Sequence, residues 1–152
     1  MSLLDLASYA SAWRGYEYYK AKKVKECKKI DNNRFEGLVS GTKSTPYHVI
    51  IDLAHPRSSQ CDCPHANGKR IICKHKVAVY FQAFPKEADR YYREVIEAEE
   101  EAEREQERVE NLLIDYVSKM TKEDLRQALL QTLFEGPEWQ FDRFIREHLD
   151  EY

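Results

Sequence analysis

The sequence predicts an α+β protein in which an N-terminal helix and a small antiparallel sheet come first and an all-α C-terminal segment follows. Two periodicities support this prediction. Apolar residues recur every three or four positions before residue 20 and after residue 76, and they alternate with polar ones between residues 47 and 53. The charge also divides the chain, because the first 93 residues carry 17 Lys+Arg against 9 Asp+Glu and the rest carry 7 against 18. Such an asymmetry indicates two parts with different partners.

The N-terminal helix is predicted between Leu3 and Lys20, ending near Gly15 or just beyond it, and we expect its aromatic face to cover the sheet. Three tyrosines and several lysines lie close together at its end: Tyr16, Tyr18, Tyr19 and the lysines between Lys20 and Lys29. One interpretation is a surface that stacks on bases and holds phosphates. The simpler interpretation is that the tyrosines pack in the core or at its rim and that the lysines face solvent.

Three strands are predicted after this helix. The segments Val24–Ile30 and Arg34–Ser40 flank a polar turn whose Asn residues tolerate positive φ, so they are expected to form a hairpin. The third strand, at residues 47–53, has the period-two pattern of a half-buried strand. Cys27 is isolated within the first strand and is interpreted as a packed thiol.

The other three cysteines and one histidine form two closely spaced pairs, Cys61-x-Cys63 and Cys73-x-His75, with nine residues between them. Residues at i and i+2 of an extended backbone point to the same side, so each pair can aim two donor atoms at one point. Three thiolates and an imidazole suit Zn²⁺, and four protein ligands leave no position for a substrate water, so one structural zinc ion per chain is predicted. The alternatives are unrelated thiols with a surface histidine, or His65 in place of His75.

The two pairs and their spacer resemble the SWIM zinc finger, whose pattern is CxC, a variable spacer and CxH, often followed by an alanine. Ala78 stands three residues after the histidine. Arg14-Gly15, Tyr19 and the strands that follow resemble the segment before the finger in many bacterial members, so the resemblance covers about residues 13–84. It implies that the two pairs are the zinc ligands and that a strand hairpin and a helix form the finger. SWIM fingers are similar in kind to modules of remodelling ATPases, transposases and recombination factors, which implies contacts to DNA or to protein.

Three segments follow from these assignments. They are a zinc-finger module with its preceding helix and strands at residues 1–84, a charged linker helix at 85–110 and a C-terminal helical segment at 111–152. An apolar stripe predicts a buried helix that begins close to His75: Val77, Tyr80, Phe81 and Phe84. The linker is expected to belong to one continuous helix from about Lys86 to Lys119, with a frayed acidic connector as the competing interpretation.

The C-terminal segment carries helix boundaries of its own. Thr121 and Asp124 predict a capping box, and Gly136-Pro137 predicts the end of one helix and the start of another. Three helices of this length can close a small bundle, either alone or against a second copy of the chain.

No catalytic motif is present, because the sequence lacks a Gly-rich phosphate loop, GxSxG, HExxH and the HxE and PCxxC pattern of zinc deaminases. We therefore expect a protein with no catalytic activity of its own. A run of 18 apolar residues and a secretory signal are also absent. The sequence thus predicts a cytoplasmic protein without a membrane partner, and a reducing compartment suits cysteines that bind metal.

Two binding functions remain. The basic module is predicted to bind nucleic acid, DNA in preference to RNA, through four residues in and beside the ligand loop: Lys69, Arg70, Lys74 and Lys76. Some of this positive charge also offsets the metal site, since three thiolates, a neutral histidine and Zn²⁺ sum to −1. The alternative is a protein–protein adaptor that uses the finger and the C-terminal helices. The C-terminal helices are also the surface through which the chain would form a homo-oligomer.

Overall fold

The computed structural model describes residues 2–149. Met1 and residues 150–152 lie outside the described residues. They are the first residue of the predicted segment 1–84 and the last three of the predicted segment 111–152. The chain divides into two compact units, residues 1–97 (unit 1) and residues 98–152 (unit 2). The boundaries predicted after residues 84 and 110 stay predictions. The elements are α1 (Tyr9–Lys20), β1 (Val24–Lys29), β2 (Arg34–Val39), β3 (Tyr47–Asp52), β4 (Gln60–Cys61), α2 (Lys74–Ala83), α3 (Pro85–Ser118), α4 (Lys122–Glu135) and α5 (Glu138–His148).

The α+β class is confirmed, and unit 1 contains the sheet. Its four strands are antiparallel and lie in the order β1-β2-β3-β4. The predicted hairpin of β1 and β2 is present, and its turn is held by Asp31 Oδ1, which accepts from the backbone N–H groups of Asn33 and Arg34 at 2.9 Å each. In β3 the predicted alternation is confirmed, because Tyr47, Val49 and Ile51 are buried.

The helix α2 lies between α1 on one side and the sheet on the other. We expected α1 to cover the sheet directly, but it packs mainly against α2. Gly15 explains how closely the two helices approach, since a Cβ at this position would lie 2.4 Å from Val77 Cβ and 3.0 Å from the backbone O of Lys74. Ser8 caps α1 by accepting from the N–H of Ser11, and the helix continues past Gly15 to Lys20.

The aromatic side chains of α1 are part of this packing. Tyr16 is 6% exposed, its ring stacks on Tyr92 at 5.2 Å between centroids and meets the edge of Phe81 at 6.0 Å. The packing interpretation is therefore confirmed for Tyr16. Cys27 is half-buried against the same core, and burial raises the pKa of its thiol, as expected for a packed cysteine.

In unit 2 the local predictions are confirmed. The α3 helix is continuous to Ser118, so the helical interpretation of the linker is correct. Thr121 and Asp124 form the predicted capping box, and α4 and α5 are separated at Gly136-Pro137. None of the helices described has an apolar stretch long enough to cross a membrane.

The apolar faces of unit 2 are mostly uncovered. Leu133 is its one buried side chain among the described residues, and α4 meets α5 through the rings of Phe134 and Phe141, 6.0 Å apart. The large apolar side chains that remain at least 40% exposed are Val109, Leu112, Leu113, Ile114, Tyr116, Val117, Leu125, Leu129, Leu130, Phe134, Trp139 and Leu149. The described helices thus do not enclose a core by themselves.

Candidate metal centre

The sheet and α2 each supply two of the predicted ligands. Cys61 ends β4, where it lies opposite Val49 of β3, and Cys63 follows two residues later. The residue between them is also fixed, since Asp62 Oδ1 accepts from the backbone N–H of His48 at 3.0 Å. Cys61 thus lies on the extended backbone that the spacing predicts, whereas Cys63 lies at a bend just after the strand.

The second pair is positioned differently from the prediction. Cys73 is the N-cap residue of α2 and has extended backbone angles, whereas His75 already belongs to the first turn of the helix. The CxH pair therefore straddles a helix start. The i, i+2 argument for an extended chain is wrong here, although both side chains still reach the same point.

The four donor atoms form one buried cluster, lying within 4.8 Å of one another. Around a tetrahedral zinc ion a sulfur and a nitrogen ligand would be about 3.5 Å apart, given Zn–S and Zn–N bonds of about 2.3 and 2.0 Å. The distance from Cys61 Sγ to His75 Nδ1 is 3.7 Å. Cys61, Cys63, Cys73 and His75 are therefore positioned to bind one zinc ion. His65 is exposed and lies outside the cluster.

The pKa values of two of the thiols are shifted by their surroundings, and a thiol must be deprotonated to bind a metal cation. A hydrogen bond from Cys61 lowers the pKa of Cys73, and the His75 side chain and the backbone N–H groups of Lys76 and His75 act in the same direction. The same hydrogen bond to Cys73, together with burial, raises the pKa of Cys61. The position of Cys73 at the N-terminus of α2 thus favours its thiolate form, and zinc binding also requires the release of any remaining thiol proton.

Lys76 requires a correction. It was predicted to contact phosphate, but its side chain is fully buried and its Nζ donates to the backbone O of Ile71 at 2.7 Å. Burial lowers the pKa of this ammonium group, while the charges of the three cysteines oppose that shift, Cys73 most strongly. Lys76 therefore offsets the negative charge of the metal site and is not available to an external ligand.

The other three predicted contacts line two different cavities, each of which includes at least one zinc ligand in its lining. Lys69 and Arg70 are exposed and line a cavity of about 450 Å³, which we call the loop cavity. Lys74 is half-buried and lines a different cavity, with its Nζ 4.4 Å from the centre of the Tyr18 ring. Sequence reasoning missed Arg57, which joins Lys69 and Arg70 in the loop cavity. No motif marks Arg57, and only the fold brings it there.

The comparisons with known proteins agree with this site. The family model for the SWIM zinc finger matches residues 47–84, which run from the start of β3 to the end of α2 and include all four ligands. No curated protein matches the chain, and no solved structure matches it. The geometry of the cluster and the match of the family model lead to the same conclusion: residues 47–84 of this chain are a SWIM zinc finger.

Proposed function

We propose that this chain is a zinc-dependent binding module for nucleic acid, DNA in preference to RNA, with no catalytic activity of its own. The observation that carries the proposal is the loop cavity. Its three cationic side chains, Arg57, Lys69 and Arg70, are exposed, and none has an ion-pair partner within residues 2–149. Some other exposed cations of unit 1 are paired, since Arg34 lies 2.6 Å from Asp31 and Lys28 lies 3.0 Å from Glu26.

Zinc would fix the positions of these cations. Lys69 and Arg70 lie on the loop between Cys63 and Cys73, so both ends of the loop are tied to the ion. Within the loop a tight turn follows, since the backbone N–H groups of Ala66 and Asn67 both donate to the O of Cys63, at 3.0 and 2.9 Å. A loop ordered before binding loses less conformational entropy when it binds.

The remaining parts of the proposal have separate support. The preference for DNA follows from the kinds of protein whose modules SWIM fingers resemble. The absence of catalysis is supported by the closed ligand set, because a tetrahedral zinc with four protein ligands has no position for a reacting water. Thiolate ligation suits a reducing compartment, so the proposal retains the cytoplasm as the location.

The test is an electrophoretic shift assay of the full chain with duplex DNA, single-stranded DNA and RNA. Phosphate contacts release counterions, so the affinity should fall by orders of magnitude between about 50 and 200 mM salt. Replacing Arg57, Lys69 and Arg70 together by Gln should weaken binding while the zinc content stays the same. The matched control replaces three exposed cations that lie outside the loop cavity and have no ion pair within residues 2–149: Lys43, Lys86 and Arg93. Equal binding by both triple variants would contradict the proposal.

A second candidate, an adaptor for a protein partner, is favoured by the exposed apolar side chains of unit 2. Soluble proteins rarely leave a large continuous apolar patch exposed unless it binds something. The partner in this case is a protein, or a second copy of the chain held through the C-terminal helices. Absence of nucleic-acid binding together with a stable complex through unit 2 would favour this candidate.

A further inference from the structure

A second cavity is lined by three of the zinc ligands, Cys63, Cys73 and His75, and we call it the helix cavity. It has a volume of about 390 Å³ and lies between the first turns of α1 and the start of α2. Ser8, Ser11 and Arg14 line it from α1, at the i, i+3, i+6 spacing of one helix face. Lys74 lines it from α2, beside the ligands Cys73 and His75. Nothing in the sequence motif marks this place as a site.

The two elements that line the helix cavity, α1 and the start of α2, are held together by contacts before and after the lining residues of α1. Before α1, Ala7 forms a parallel β-bridge with Ile72, the residue that precedes the ligand Cys73. Beyond Arg14, the missing side chain of Gly15 lets α1 approach Val77 and the backbone O of Lys74. The cavity is thus built by the packing of two rigid elements, and it brings Arg14 to the same opening as Lys74.

The charges of this cavity suit an anion. No Asp or Glu lines it among the described residues, and Arg14 has no ion-pair partner within residues 2–149. The positions of Lys74 and its neighbour Lys23 are restricted, because each has its Nζ within 4.6 Å of the centre of the Tyr18 ring. The two cations that line the cavity, Arg14 and Lys74, carry more positive charge than is needed to balance the site. A zinc ion with three thiolates and a neutral histidine has a net charge of only −1. The Ser8 hydroxyl donates to Ser11 Oγ at 3.1 Å, so the Ser11 hydroxyl adds one hydrogen-bond donor.

We propose that the helix cavity binds one phosphate group of the nucleic-acid backbone, with Arg14 as the principal contact and Lys74 as the second. This inference rests on the proposed function and extends it. The loop between Cys63 and Cys73 borders both cavities, since Cys63, His65 and Cys73 line the helix cavity and the residues from Ala66 to Arg70 line the loop cavity. A nucleic-acid strand that follows this loop would place one phosphate at each of the two cavities. Arg is suited to this role because its guanidinium binds phosphate oxygens in pairs.

The experiment measures the salt dependence of DNA binding by the zinc-loaded full chain and three single variants. Arg14→Gln should bind roughly tenfold more weakly, as expected for the loss of one charge-assisted hydrogen bond. It should also reduce the slope of log affinity against log salt by about one, because one phosphate contact is lost. Arg70→Gln, in the loop cavity, should have a similar effect, and the exposed Lys86→Gln should have none. Zinc content and the melting curve of each variant exclude a structural cause.

The outcomes separate the two proposals. A wild-type slope for Arg14→Gln beside a reduced slope for Arg70→Gln would overturn the helix-cavity proposal and leave the proposed function intact. Absence of DNA binding by the wild type at low salt would overturn both. Direct support would come from an NMR titration with a short single-stranded DNA, in which the Arg14 Nε–H signal should shift, and inorganic phosphate should compete for that shift.

Discussion

Substituting Gly15 by Ala tests how closely α1 approaches α2. In an isolated helix this change would stabilise the structure by about 1 kcal/mol, because Gly loses more backbone entropy than Ala on folding. Here the new Cβ would meet Val77 Cβ at 2.4 Å and Val77 Cγ1 at 2.5 Å. Carbon atoms in contact are about 3.5–4.0 Å apart, so the helices would have to separate by about 1 Å.

The expected result is a loss of stability. Overpacking a well-packed core costs about 1–3 kcal/mol, and the two close contacts with a fully buried side chain place Gly15→Ala near the upper end. After subtraction of the helix-propensity gain, we expect unit 1 to lose about 2 kcal/mol. For a domain of this size that corresponds to a decrease in Tm of roughly 8–16 °C.

The assay uses zinc-saturated protein in which Trp139→Phe leaves Trp13, in unit 1, as the single tryptophan. Urea unfolding followed by Trp13 fluorescence then reports the free energy of unfolding of unit 1. Gly68→Ala serves as a control in which no new steric contact forms, since Gly68 has open space around it. Its φ of +69° is unfavourable for Ala, so we expect a loss of stability of about 1 kcal/mol from the backbone conformation alone. Combination with Val77→Ala should reduce the cost of Gly15→Ala by relieving the Cγ1 contact. An increase in stability for Gly15→Ala would refute the reasoning.

Three further predictions concern the metal and unit 2. His75→Ala should lose the zinc ion whereas His65→Ala retains it, which metal analysis of the purified proteins will show. Zinc affinity falls as pH falls because the thiols must lose their protons to bind the ion. Lys76→Met removes a cation that favours the thiolates. The pH at which half of the zinc is released in an acid titration should therefore rise by about one unit. A wild-type pH of half-release would contradict the charge-offsetting role of Lys76. Sedimentation should show a self-associated chain that Leu112→Ser with Leu129→Ser converts to monomers, and a monomeric wild type would exclude the second-copy alternative.

Local patterns predicted the parts of the fold that depend on neighbouring residues in the chain. The alternation of Tyr47, Val49 and Ile51 predicts which face of β3 is buried, because side chains of a strand point alternately to its two faces. The spacing of the ligands identified the zinc site for a related reason: few arrangements other than a shared metal ion require a CxC and a CxH pair.

The burial of Lys76 was not predictable in this way. An apolar stripe indicates one buried face of a helix, and Lys76 lies outside the stripe. In the structure α2 lies between α1 and the sheet, so His75, Lys76, Val77, Ala78 and Val79 are all buried. Such a position is a property of the tertiary arrangement. The same reason applies to Arg14, which reaches the finger from α1, and to Arg57, which the fold brings beside Lys69 and Arg70.

The measurement that tests the central claim most directly is the affinity of the full chain for duplex DNA before and after removal of zinc by a chelator. The account predicts salt-dependent binding by the zinc-loaded chain, loss of that binding with the ion, and recovery when zinc is returned. This result is expected because the ion holds Cys61 and Cys63 against Cys73 and His75, and with them the loop that carries Lys69 and Arg70. Equal affinity of the metal-free and the zinc-loaded chain would contradict the claim that the zinc finger organises the binding surface.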